Sequence, residues 1–160
     1  MTDFAARPNG TMATTINKII FSSTAAVYAG KDGSMVTEKS ALSPQSPYSK
    51  TKLSVEMAIK DFCHAYNMYG ISLRYFNPIG ADPKMRSGPS NENPSHVIGK
   101  LSEASKALNG TFNVTGFEWP TRDGTGIRDY IHVWDVALAH VRAVQNFDQI
   151  VTQDNPYCDI

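Results

Sequence analysis

The stretch SPYSKTKLSVEMAIKDFCHAYNMYGISLRYF, residues 46–76, constrains the fold more tightly than any other part of the chain. Ser46-Pro47 reads as a helix start, with serine at the N-cap and proline at the first helical position. From there to about Met68 the pattern is helical, and Val55, Ala58, Ile59, Phe62 and Tyr66 form one apolar stripe. Leu53 and Met57 carry apolar character to a second side. A helix of this kind is expected to be buried twice, against a sheet and against a partner helix. Gly70 reads as its stop signal, and ISLRYF (71–76) as the strand that follows.

The flanking sequence repeats the alternation. Residues 1–16 form a polar, irregular lead-in, and NKIIFSS (17–23) is a short apolar run that reads as a buried strand. A turn-rich connection with Gly30, Gly33 and Pro44 leads into the helix. After the second strand, 77–94 reads as a long loop, 95–108 as a helix stopped by Asn109-Gly110, and FNVTG (112–116) as a short strand. IRDYIHV (127–133) reads as a brief extended segment. VWDVALAHVRAV (133–144) reads as a helix with apolar residues at 133, 136, 137, 141 and 144, and the closing NPYCDI starts like a strand. Strands alternating with helices predict an α/β fold with a mostly parallel sheet. Ligands then bind outside the carboxyl ends of the strands, which here are Ser22-Ser23-Thr24 and Phe76-Asn77-Pro78.

Charge and composition exclude several classes of partner. The formal net charge of the 160 residues is zero, and no basic cluster is interleaved with aromatics, so nucleic acid is not an expected partner. No apolar run approaches the length that spans a bilayer, so no membrane partner is expected. The opening MTDFAARPNG lacks the regions of a signal peptide, and Cys63 and Cys158 make no C-x-x-C, which together read as a reduced, cytoplasmic chain. His132, Asp135 and His140 resemble metal ligands superficially. Helical spacing sets Asp135 and His140 roughly 140° apart, so no metal site is expected.

Tyr48 and Lys52 are the residues whose spacing suggests chemistry. Four apart on a helix, they share a face, whereas Lys50 lies roughly 200° round the axis from Tyr48. A free tyrosine, with a pKa near ~10, is a poor base at neutral pH. A nearby ammonium and the positive end of a helix both favour the phenolate. Taken alone, the pair reads as a solvated surface pair, because about 0.4 such pairs arise by chance in a chain of this composition.

Four motifs in order narrow the choice: SSTAAVY, SPYSKTK, LRYFNPIGA and GTGIRDYIHVWD. Together they resemble the extended branch of the short-chain dehydrogenase/reductase superfamily, and within it the UDP-glucose (UDP-galactose) 4-epimerases. The resemblance runs from about Lys18 to the C-terminus. It implies residues 17–80 as the C-terminal half of a Rossmann-like, doubly wound NAD-binding domain, and 81–160 as part of a nucleotide-sugar-binding region with a crossover back to the sheet. It implies Tyr48 as the base that takes the sugar 4-hydroxyl proton while hydride passes to NAD, by way of a 4-keto sugar. Lys52 would lower the tyrosine pKa and bind the nicotinamide ribose, and Thr24 would bond the reacting oxygen. Ser22, Tyr75 and Phe76 match positions that line the cofactor. Asn77, Arg128 and, more loosely, His96 and Val97 match positions near the nucleotide diphosphate of a UDP-sugar. The family also pairs subunits through the helix here numbered 48–66, so a homodimer is implied. Nucleotide-sugar 4,6-dehydratases of the same branch carry an acidic pair after the threonine. Ala25 and Ala26 stand there in this chain, which disfavours dehydration.

The family's glycine-rich turn for NAD has no counterpart among these 160 residues: neither G-x-x-G-x-x-G nor G-x-G-x-x-G occurs. Tyr28-Ala29-Gly30 also departs from the family's usual Tyr-Gly. The expectation that follows is a chain resembling the middle of an epimerase, with an incompetent fragment as the alternative to an active enzyme.

Overall fold

The computed structural model describes residues 16–29, 35–91 and 93–160. The lead-in over 1–15 and the turn glycines Gly30 and Gly33 lie outside the described residues. In chain order the elements are β1 (Lys18–Ser22), α1 (Pro47–Ala65), β2 (Tyr69–Leu73), β3 (Asn77–Ile79), α2 (Val97–Lys106), β4 (Tyr130–His132), α3 (Val133–Gln145), α4 (Phe147–Ile150) and β5 (Tyr157–Asp159). Residues 25–27 add one turn of 3-10 helix after β1. The described residues form two compact units, those of 16–75 with 139–160, and those of 76–138.

The first unit is built on a parallel three-stranded sheet of order β1-β2-β5. Lys18 to Ser22 pair with Tyr69 to Leu73, and Gly70 to Ser72 pair with Tyr157 to Asp159. Alternation along β2 sends successive side chains to opposite faces. Ile71 and Leu73 pack on one face with Ala143, Phe147 and Val151. Gly70 and Arg74 meet α1 on the other. Helices on both faces of a parallel sheet bear out the α/β reading.

The start of α1 is also as expected. The Ser46 hydroxyl accepts from the Ser49 amide at 3.1 Å, and the Ser49 hydroxyl accepts from the Ser46 amide at 3.1 Å, a reciprocal capping box with proline at N1. Its end is not. The helix stops at Ala65, and Asn67 turns the chain in the left-handed region at φ 53°. Gly70 lies inside β2, where it lets the helix approach. A Cβ there would stand 2.8 Å from Ile59 Cγ2 and 3.1 Å from Cys63 Sγ.

The larger correction concerns which face of α1 is buried. Ser49, Glu56 and Cys63, seven residues apart, are the buried positions. The apolar stripe through Val55, Ala58, Ile59 and Phe62 instead lines an open groove of about 440 Å³, shared with Ile19 and Met68.

In the second unit β3 and β4 pair in parallel, Asn77 with Tyr130 through Ile79 with His132. By sequence 77–79 reads as loop, because three residues carry no periodicity. FNVTG is not a strand: residues 112–116 have no ladder partner among the described residues, and Val114 is 50% exposed. Arg86 bonds Asp82 at 2.5 Å and stacks over Trp134 at 5.6 Å, holding the turn after β3. The Arg86 hydrogen bond, with a further bond from the Lys84 amide, holds the Asp82 carboxyl below its usual value.

Candidate active site

The acid–base residues expected from sequence lie in the first unit. Tyr48 occupies the first turn of α1 and is 58% exposed. Lys52, one turn on, places its ammonium 5.7 Å from the Tyr48 ring centroid and 4.9 Å from that of Phe21. The same ammonium donates to the Ser22 carbonyl at 2.9 Å, tying the helix to the carboxyl end of β1. Lys50 is exposed. The helical spacing thus brings Tyr48 and Lys52 together at a strand end and leaves Lys50 out.

Ser22 is held from behind as well, its hydroxyl 2.8 Å from His140 Nε2 on α3. His140 meets the Tyr75 ring edge-on, with centroids 6.2 Å apart. Thr24 caps the 3-10 turn, its hydroxyl accepting from the Ala26 amide at 3.2 Å. Ser22, Thr24 and Tyr75 are therefore at the strand ends of this unit, partly buried.

Beneath them runs a buried polar network with no counterpart in the sequence reading. Arg74 Nε donates to both Glu56 oxygens at 3.1 Å, and its Nη2 lies 2.5 Å from Glu56 and 2.5 Å from Asp159. Its Nη1 donates to the Tyr28 hydroxyl at 3.1 Å, and the Ser23 hydroxyl donates to Glu56. Burial alone would push the Arg74 guanidinium down. The bonds to Glu56 and Tyr28 and the charges of Glu56 and Asp159 outweigh it and hold the group above its ordinary value. The sequence signal was present in Tyr48, Lys52 and Glu56, each four residues from the next, but Glu56 reads as a surface residue without the fold.

The remaining site residues belong to the second unit. Asn77, His96, Val97 and Arg128 line one cavity of about 380 Å³, together with Pro89 and Tyr130. Phe76 is adjacent in sequence and 41% exposed, but does not line it. The Asn77 amide donates to the Asp129 carbonyl at 2.9 Å, so it braces the β3–β4 pair and leaves its oxygen available. Arg128 is exposed, its guanidinium donating to the Ile127 carbonyl at 2.7 Å. His96 is the N-cap of α2, with Nδ1 accepting from the Gly99 amide at 3.1 Å. Acceptance at Nδ1 requires the tautomer with its proton on Nε2. Outside this cavity, His132 Nδ1 accepts from the Trp134 amide at 3.1 Å. Among the described residues no three His, Cys, Asp or Glu side chains gather as a metal site.

A parallel α/β sheet with Tyr-x-x-x-Lys at a strand end defines a class, and the comparisons with known proteins give the family. Residues 6–155 match the NAD dependent epimerase/dehydratase family, and the chain belongs to it. It is 40% identical over 132 residues to a UDP-glucose 4-epimerase of Bacillus subtilis, covering 81% of this chain and 39% of that protein. It is 41% identical over 133 residues to a UDP-glucose 4-epimerase of Rhizobium meliloti, covering 83% and 40%. The crystal structure of UDP-glucose 4-epimerase from Stenotrophomonas maltophila, with bound NAD and formylated UDP-arabinopyranose, superposes with a TM-score of 0.74 at 36% identity. That match covers 90% of this chain and 42% of that one. The Brucella ovis enzyme in complex with NAD gives 0.73 at 34% identity, covering 90% and 43%. The fold is thus Rossmann-like, and the chain spans about two fifths of the length of the relatives it matches. No helix among the described residues is long and apolar enough to cross a membrane.

Proposed function

We propose that the chain carries the acid–base machinery of an NAD-dependent UDP-glucose 4-epimerase, an isomerase of galactose metabolism acting in the cytoplasm. The observation that carries this reading is Lys52, fixed between the Tyr48 ring and the Ser22 carbonyl at the end of β1. In this reading Tyr48 accepts the proton of the sugar 4-hydroxyl and later returns it. Thr24 bonds the reacting oxygen, and Lys52 keeps a positive charge beside the phenol. The sugar ring is a 4-keto species between the two proton transfers, and it turns over before the second.

Lys52 and Tyr48 suit the nicotinamide-ribose end of NAD, because an ammonium and a phenol stand together at a parallel-strand end. Ser22, Tyr75 and Phe76 would line that end. NAD, when bound, supplies the hydride acceptor and donor. Arg128 offers a fixed guanidinium fork to a UDP-sugar diphosphate, and His96 Nε2–H, the Asn77 oxygen and Val97 complete the wall of the same cavity. The division into a cofactor half over 17–80 and a nucleotide-sugar region over 81–160 belongs to this reading. So does a homodimer through the helix 48–66, for which the open apolar groove on α1 is the supporting feature.

The test is NAD-dependent interconversion of UDP-glucose and UDP-galactose by the purified chain, with NAD binding followed by calorimetry. Activity that disappears in Tyr48→Phe with the thermal midpoint unchanged supports the reading, and survival of activity in Tyr48→Phe rejects it. Neither turnover nor NAD binding in the wild-type chain favours the alternative, a fragment that only associates or binds nucleotide sugar weakly.

A further inference from the structure

We infer that Glu56 is the positioning residue of the Tyr48/Lys52 pair. Held by Arg74 and Ser23, it fixes the rotation and register of α1 against the ends of β1 and β2. Calling Tyr48 and Lys52 an acid–base pair rests on the proposed function, but the positioning itself does not.

Tyr48, Lys52 and Glu56 lie on successive turns of one face of α1, and the three differ in what they meet. Tyr48 is exposed, Lys52 half-buried and Glu56 2% exposed. The buried end of this face is therefore the pivot, and the open end carries the chemistry. At the pivot, Glu56 takes a two-pronged bond from Arg74, the residue that follows β2. It also accepts from Ser23, the residue between Ser22, whose carbonyl holds Lys52, and Thr24. One carboxylate thus fastens the helix to the two strand ends beside Ser22, Thr24 and Tyr75. A guanidinium–carboxylate fork fixes direction as well as distance, which an apolar contact does not.

Stability is a poor reason for such a network. Replacing a buried ion pair with apolar side chains of similar volume is often neutral or stabilising, whereas orientation is lost with the fork. The side chains flanking this pivot on α1 are also small: Ser49 and Cys63 are the other buried positions. Neither has the bulk to lock the helix against rotation by packing alone.

The experiment is lysine acylation of the full chain, read by mass spectrometry as the rate at Lys52 relative to Lys50. Lys50 is exposed and two residues away, so it is the internal reference. In the wild-type chain Lys52, bonded to Ser22, reacts more slowly than Lys50. The double variant Glu56→Met/Arg74→Met keeps its circular dichroism and thermal midpoint, and its Lys52-to-Lys50 ratio rises about tenfold, the factor that one lost charge-assisted bond represents. Glu56→Gln, which keeps the acceptor oxygen, restores the slow rate. An unchanged ratio in the folded double variant overturns the inference, as do equal rates at the two lysines in the wild-type chain. If the double variant does not fold, Ser23→Ala decides. It removes only the bond that ties Glu56 to the end of β1, so a severalfold rise supports the inference and an unchanged ratio overturns it. No cofactor or turnover enters the readout. Failure of the epimerase assay therefore rejects the proposed function and leaves this result standing separately.

Discussion

The two faces of α1 are made of the wrong residues by the usual rule. The inner face, against the sheet, buries Ser49, Glu56 and Cys63. The outer face shows Val55, Phe62 and Tyr66 at 37%, 52% and 67% exposure. Hydrophobic patterning alone would turn this helix round. It does not turn because the inner face satisfies each polar group it buries: among the described residues no buried side-chain nitrogen or oxygen lacks a partner. A polar face can be the inner one when its partners are built into the strands. An apolar face can be left outside when something else is there to cover it.

That contrast can be broken at the inner face first. Arg74→Met leaves Glu56 buried with Ser23 as its remaining partner, and is expected to cost about 3–5 kcal/mol, read by urea denaturation. A loss below about 1 kcal/mol would show that the inner face is not held by charge. Next comes the close approach on the same side. Gly70→Ala puts a methyl against Ile59 and Cys63 and is expected to cost about 1–3 kcal/mol in the same assay, with the chain still folded.

A smaller effect concerns Tyr157, whose hydroxyl donates to Ser72 at 2.8 Å on β2. Burial pushes its phenol up to about 12. Its folded pKa is above the unfolded value, so its contribution is complete below about pH 10 and is lost as pH rises towards 12. The unfolding free energy from urea denaturation should hold steady up to about pH 10 and then fall by at most about 1 kcal/mol per pH unit towards pH 12, after allowance for solvent near the ring. The smallest effect belongs to the outer face. Phe62→Ser should change monomer stability by no more than about 0.5 kcal/mol. It should nevertheless shift sedimentation towards monomer if a second copy covers the groove. An unchanged distribution between monomer and dimer would show that Phe62 contributes nothing to association.

Much of the first unit was legible in the sequence. Lys18–Ser22, Pro47–Ala65 and Tyr157–Asp159 appear where a short apolar run, a Ser-Pro cap and the closing NPYCDI put them. These signals are local, so they survive without knowledge of partners. The failures are all non-local. Gly70 reads as a helix stop because glycine usually is one, whereas its role is set by Ile59 and Cys63 on the helix above it. The three-residue strand Asn77–Ile79 exists only because Tyr130–His132 pairs with it, and FNVTG lacks such a partner among the described residues.

The site divides in the same way. Spacing alone put Tyr48 and Lys52 on one face of a helix and Lys50 off it, because helix geometry is a property of the backbone. Only the tertiary structure decided that Lys52 reaches the Ser22 carbonyl, and that Asn77, His96, Val97 and Arg128 share a cavity. It alone made Glu56 an interior residue. A carboxylate is buried only where a guanidinium and a hydroxyl from other strands arrive to meet it, and no count of residues along the helix can announce their arrival.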